Sequence, residues 1–295
     1  MTLVTFLIQN PSYLLVLTAV LGLLVGSFLN VVVYRLPIML EKSWKAHASE
    51  LLAATEPQLE SAHSDQTFNL ALPLSQCPHC AHSLSAWENI PVVSFLLLKG
   101  RCHHCGHRIS LRYPATEITT AVVSMLVVTT FGFTLSSLAL LIFSWSLIAI
   151  GLIDYDHHII PDDISLPLLW LGLLAATFGF GAPEVSLSSS VLGAAAGYLS
   201  LWLIYWLFLL ATGKQGLGHG DFKLLAALGA WLGWQELLPV ILLSSLSGSI
   251  IGLFLILMRG REQSKPIPFG PFLAGAGFAM LLWGPALTNL YLKIF

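Results

Sequence analysis

Long apolar stretches separated by short polar breaks recur eight times, at residues 13–33, 116–133, 138–153, 164–180, 191–210, 222–234, 238–258 and 269–290. A helix needs about 20 mostly apolar residues to cross a hydrocarbon core. The pattern predicts an all-α polytopic membrane protein with about eight transmembrane helices. The first stretch is not expected to be a cleavable signal peptide. No basic segment precedes it, and Gly26-Ser-Phe-Leu-Asn30 runs on toward Arg35 without a cleavage context.

One large hydrophilic segment, 37–115, interrupts the series as an insert between helices 1 and 2. It divides the chain into a first transmembrane helix (1–36), the insert, and a transmembrane core (116–295). Within the insert, Leu40, Trp44, Leu51 and Leu52 punctuate polar positions and suggest a surface helix over 39–60. Residues 73–113 are rich in Cys, His, Pro and Gly and read as a small metal-stapled module. No internal repeat is visible.

Composition narrows the class. The 295 residues are 56% hydrophobic and 9% charged, against about 25% charged in soluble domains. The net charge of -2 is uninformative, and 13 Lys and Arg are too few and too scattered for a nucleic-acid surface. Their placement sets topology, because positive loops stay cytoplasmic. Seven lie between Arg35 and Arg112; Lys214, Lys223, Arg259, Arg261 and Lys265 flank later stretches. Eight crossings put these twelve on one face and leave Lys293 on the other. The sixth stretch is short, and Gln235-Glu236 would also suit a re-entrant hairpin. That alternative flips Arg259 to Lys265 outward, so a full crossing is expected.

Cys77-Pro-His-Cys80 and Cys102-His-His-Cys105 are two C-x2-C knuckles 21 residues apart. Each knuckle can present two thiolates to one ion, and two knuckles complete a tetrahedral sulfur shell. In a reducing cytoplasm this favours structural Zn2+ over disulfides, with rubredoxin-like iron as the lesser alternative. Four thiolates leave no open position for catalysis, which removes a zinc hydrolase from consideration. About forty residues cannot build a core alone, so the metal would hold the module together. His79, His82, His103, His104 and His107 are expected to be solvated neighbours rather than substituting ligands.

Outside the insert, carboxylates are rare. Asp154, Asp156, Asp162 and Asp163 cluster in one stretch, and Asp221 sits in Gly218-His-Gly-Asp-Phe-Lys223. Ionisable residues beside a span point to function. Asp156, Asp162 and Asp163 suit a wetted interface, whereas Asp154 and Asp221 directly abut apolar helices on the same side of the bilayer. Two converging carboxylates can share a proton, one activating water as base and the other polarising a carbonyl as acid. Gly218 and Gly220 would let a substrate strand approach closely. Lys223 would snorkel to the interface or meet an acidic substrate group.

Together these motifs resemble the type IV prepilin peptidases. Gly218-x-Gly-Asp221-x-Lys223 matches their G-x-G-D-x-K signature, and Asp154, seven residues before Pro161, matches the first aspartate of their D-x6-P-D stretch. The resemblance extends through Cys77-Pro-x-Cys80, Asn89-Ile-Pro91, Gly100-x-Cys102, Cys105, Ile109-Ser-x-Arg-Tyr-Pro114 and Gly26-Ser-Phe-Leu-Asn30. It implies an intramembrane aspartic endopeptidase of the bacterial inner membrane, with Asp154 and Asp221 as catalytic dyad, the four cysteines as zinc ligands, and insert and active site cytoplasmic. The implied substrates are prepilins or type II secretion pseudopilins. Leader removal is followed by N-methylation of the new N-terminus, usually Phe, with S-adenosylmethionine as donor. Spacing alone gives that second reaction no support: no G-x-G-x-x-G follows a strand, and Gly22-x-x-x-Gly26 reads first as helix packing. The competing class is a cation- or proton-coupled transporter using the same acids. Its site should lie at the bilayer midplane between repeated halves, which the sequence does not offer.

Overall fold

The computed structural model describes residues 6–7, 9–53, 68–183, 185–214, 216–259 and 267–294. Eight long helices fall on the eight apolar stretches: α1 (Pro11–Ala53), α3 (Arg112–Phe131), α4 (Leu135–His157), α5 (Asp162–Phe178), α6 (Leu187–Thr212), α7 (His219–Leu232), α8 (Leu237–Arg259) and α9 (Gly270–Ile294). A short helix, α2 (Val93–Leu97), lies in the insert. Among the described residues, the only extended pairing is two isolated bridges. Among the described residues five helices are long and apolar enough to cross a membrane: α1, α3, α4, α6 and the one containing α8, while Gly270–Gly284 is a shorter apolar segment.

One boundary departs from the sequence expectation. α1 does not stop near residue 33 with a separate surface helix beyond; it continues through Pro37 to Ala53. Its 43 residues rise about 65 Å, roughly twice the thickness of a hydrocarbon core, so the helix is longer than one crossing needs. The tail of the expected surface helix, 54–60, lies outside the described residues, as do Arg261 and Lys265.

The chain divides into two compact units, residues 19–122 and residues 1–18 with 123–295. In the larger unit α7 is the central element. Asp221, Phe222 and every residue from Leu224 to Leu232 are buried, and α5, α6 and α9 pack around it. Lipid gives apolar helices little hydrophobic reason to associate, so close backbone packing and hydrogen bonds have to hold them. Both are present. Gly193 of α6 and Gly229 of α7 face each other so closely that a Cβ on either would collide with the other's backbone. Ser190 Oγ donates to the Ala230 carbonyl at 2.6 Å, and Trp231 Nε1 donates to the Leu168 carbonyl of α5 at 2.9 Å. Phe143, Ile150, Leu225, Leu228 and Leu273 fill the space between. These contacts fix the first turn of α7, and with it Asp221.

In the smaller unit, Arg35 of α1 is buried and donates to the carbonyls of Asn69, Leu70 and Pro73 at 3.0, 3.3 and 2.6 Å. Glu117 of α3 is also buried and accepts the Val92 N–H at 2.7 Å. Both side chains fasten interior segments of the insert to the helices that bracket it.

Candidate active site and metal centre

Asp154 occupies the last turn of α4. The helix starts on a Thr134 cap that accepts the Ser137 N–H, and ends at His158 in the left-handed conformation, whose N–H returns to the Asp154 carbonyl at 2.9 Å. The Asp154 side chain is 6% exposed, and its Oδ2 accepts the Gly270 N–H at 2.9 Å. Gly270 is the first residue of α9. The carboxylate therefore sits on the positive end of a helix from the far end of the chain. A Cβ at Gly270 would lie 2.6 Å from Oδ2, so glycine is required for this seat.

Asp221 is the third residue of α7 and is 8% exposed. Its Oδ2 accepts the N–H of Gly218, the N-cap, at 3.2 Å, the returning half of a capping box. The structure brings Asp221 near enough to Asp154 to feel its charge. The connection from α4 helps to bring them together: Ile160 lies where a Cβ on Gly220 would fall, at 2.8 Å from that position. Gly220 thus makes room for the chain's own Ile160. At Gly218 the nearest atom to an added Cβ is Asp221 Oδ2 at 3.4 Å, which leaves that side open.

Lys223 does not simply reach for the interface. Its Nζ donates to both carboxylate oxygens of Asp162 at 2.7 Å, which ties the first turn of α7 to the first turn of α5. Asp156 and Asp163 are exposed, as expected of wetted positions. His219 packs against Tyr205 and Phe222 in an aromatic cluster. Gly270 is the site residue that sequence reasoning missed; the signal was the Pro266-Ile-Pro-Phe-Gly-Pro271 run, whose density of Pro and Gly marks an unusual helix start.

The cysteine module folds as two copies of one knuckle. In the first, Cys77 N–H donates to the His82 carbonyl and Ala81 N–H to the Cys77 carbonyl, both at 2.9 Å; in the second, Cys102 pairs with His107 and Gly106 with Cys102 at 2.8 and 2.9 Å. Ala81 and Gly106 occupy the equivalent positive-φ position, at 56° and 68°. The near symmetry extends to the histidines: His79 stacks on His107 and His82 on His104, with ring centroids 4.4 and 4.9 Å apart. The four Sγ atoms lie within 4.8 Å of one another, and Cys77 Sγ and Cys105 Sγ are 3.9 Å apart. A tetrahedral Zn2+ with Zn–S near 2.3 Å needs sulfurs about 3.8 Å apart, so the donor set fits. The backbone N–H of Cys80 leads the groups that ease the Cys77 thiol down to about 7. For Cys80 the His82 N–H acts in the same sense, but burial and the neighbouring thiols outweigh it and push the group up to about 12.

Fold and site together define a helical membrane protein that holds a buried aspartate pair at helix ends and carries a separate tetrathiol metal module. Residues 20–131 match the bacterial peptidase A24 N-terminal domain, and residues 141–253 match the type IV leader peptidase family. The chain is 52% identical over 293 residues to a prepilin leader peptidase/N-methyltransferase of Pseudomonas aeruginosa, covering 99% of this chain and 98% of the relative. Proteins of the same name from Dichelobacter nodosus and Legionella pneumophila are 46% and 43% identical, with 98% and 97% of each chain covered. The chain belongs to the type IV leader peptidase family. No solved structure matches it.

Proposed function

We propose that this protein removes the leader peptide of type IV prepilins or type II secretion pseudopilins and then N-methylates the residue so exposed. The observation that carries the proteolytic half is the meeting of Asp154 and Asp221, 67 positions apart in the chain, as a buried pair with one backbone N–H on each. One ionised carboxylate takes a proton from water as the water oxygen attacks the scissile carbonyl carbon. The protonated partner gives its proton to the carbonyl oxygen. When the tetrahedral intermediate collapses, the C–N bond breaks and the proton first taken from water goes to the leaving nitrogen. Gly270 and Gly218 are positioning residues here, each holding one oxygen so that the other faces the substrate. The Lys223–Asp162 pair braces the turn that carries Asp221.

The substrate reading follows from geometry and charge. A prepilin joins a short basic leader to an apolar helix that rests in the bilayer, so its scissile bond lies near a membrane boundary. Helix ends are where the aspartates stand. The cation distribution supports a cytoplasmic position for this face and for the insert, in the bacterial inner membrane. The transporter alternative is not supported: the acids sit at helix termini, and the relatives named above are leader peptidases.

The four cysteines would hold one Zn2+ as a structural ion that closes the module. S-adenosylmethionine would supply an electrophilic methyl group to the new α-amine. Among the described residues there is no strand followed by a glycine-rich turn and helix, so its site is not of the dinucleotide-fold kind, and family membership alone carries this half. The deciding experiment incubates the purified protein in nanodiscs with one prepilin and labelled S-adenosylmethionine, reading both products by mass. Asp154→Asn and Asp221→Asn should each abolish leader removal while insertion and zinc content persist. Continued processing by either variant would rule out the dyad.

A further inference from the structure

The insert exposes an apolar face that the proposed chemistry does not use. In α2, Phe95 turns inward beneath Gly100, where an added Cβ would meet its ring at 2.9 Å. Val93, Leu96 and Leu97, at i, i+3 and i+4 on one side of the helix, are instead 47%, 67% and 70% exposed. In water three such side chains on a five-residue helix would be an aggregation liability.

The depth of this face can be worked out. α3 has 20 residues, about 30 Å of helix, which equals the thickness of a hydrocarbon core with nothing to spare. Its apolar stretch opens only at residue 116, so the bilayer boundary lies within its first turns. Glu117 stands at that boundary, and Glu117 Oε2 accepts the Val92 N–H at 2.7 Å. Val92 immediately precedes α2, so α2 begins at the boundary. The chain then runs on to Lys99, Arg101 and Arg108, all exposed, with the two arginines paired across the second knuckle. Apolar side chains below and cations above are the pattern of an element lying in a membrane interface.

We infer that α2 is an interfacial anchor, with Val93, Leu96 and Leu97 immersed in the acyl boundary of the lipid and Lys99, Arg101 and Arg108 against anionic headgroups. It holds the second cysteine knuckle, which follows it directly, at the membrane surface. The inference stands apart from the proposed reactions, because its readout involves no catalysis.

The test uses the full-length, zinc-loaded protein in nanodiscs of phosphatidylethanolamine and phosphatidylglycerol. A nitrobenzoxadiazole label is placed at Leu97→Cys and, as reference, at the exposed knuckle residue Ser83→Cys, after confirming one zinc per chain. The label at 97 should emit to the blue of that at 83 and be quenched several-fold more by lipids carrying a nitroxide near the headgroup, with no substrate present. Leu96→Cys gives the same reading if the first variant loses zinc. Charge reversal of Lys99, Arg101 and Arg108 together should reduce quenching at low salt more than at high salt. Equal emission and quenching at 97 and 83 would overturn the inference. So would shielding that appears only after a prepilin is added, which would give the face to the substrate's apolar helix.

Discussion

Gly270→Ala tests the seat of Asp154 with a single methyl group. The new Cβ would stand 2.6 Å from Asp154 Oδ2, 3.0 Å from its Cγ and 3.1 Å from its Cβ, so no rotation of the carboxylate clears all three. Restoring an ordinary contact of 3.4 Å moves the oxygen about 0.8 Å, which carries the 2.9 Å hydrogen bond beyond the usual limit. A hydrogen bond to a charged group is worth about 1.5–3 kcal/mol, and misplacing a reacting group by about 1 Å costs about a hundredfold. We expect kcat/KM for leader cleavage to fall about 10- to 100-fold. Gly270 is not among the glycines with positive φ, so alanine brings no backbone strain and the effect is steric. The control is Gly275→Ala on the same helix, where nothing lies within 4 Å of an added Cβ. Cleavage of a purified prepilin in nanodiscs, read by mass, gives the rate; methylation of a pre-cleaved N-terminal peptide reports on the rest of the protein. A Gly270→Ala enzyme that cleaves within twofold of the parent would refute the claim that Gly270 positions Asp154.

Three further outcomes are expected. Lys223 is 30% and Asp162 51% exposed, so their bond should be worth only about 0.2–1 kcal/mol; Lys223→Ala and Asp162→Ala should each slow cleavage a few-fold, the double variant little more, and strictly additive losses would deny the brace. Ala81 holds φ 56°, which favours glycine, so Ala81→Gly should stabilise the module by about 0.5–1 kcal/mol, seen as slower zinc loss to a chelator; Gly106→Ala should speed that loss, and identical off-rates for both would contradict the shared-knuckle geometry. Cys77→Ser with Cys80→Ser should release the metal and unfold the insert, with methylation impaired at least as much as cleavage; normal methylation by the metal-free variant would separate the module from the transfer reaction.

What could be read from the residues and what could not divides along the range of the contacts involved. Helices α3 to α9 were legible because each buries an apolar run long enough to register, and the knuckles because two thiolates for one ion must sit three positions apart. The continuity of α1 past residue 33 was not legible, because hydropathy measures transfer into lipid, not helicity. The segment Glu41-Lys-Ser-Trp-Lys-Ala46 is polar yet rich in helix formers, and Lys45 bonds Glu41 at 2.6 Å one turn away. Pro37 lacks an N–H, but one missing bond did not stop the helix. The two aspartates were marked by the cost of keeping acids beside apolar helices. Nothing marked their supports in the same way. Gly270 acts through a backbone N–H across 116 positions, and the Lys223–Asp162 pair spans 61. A glycine that serves by lacking a side chain leaves no chemical sign of its role; only the collision that alanine would cause reveals it. The same holds for Gly193 against Gly229, where two missing methyl groups set how close α6 comes to α7. In this protein the acids stand out by their chemistry, while the spacing of the helices around them is set by glycines whose role shows only in the packing.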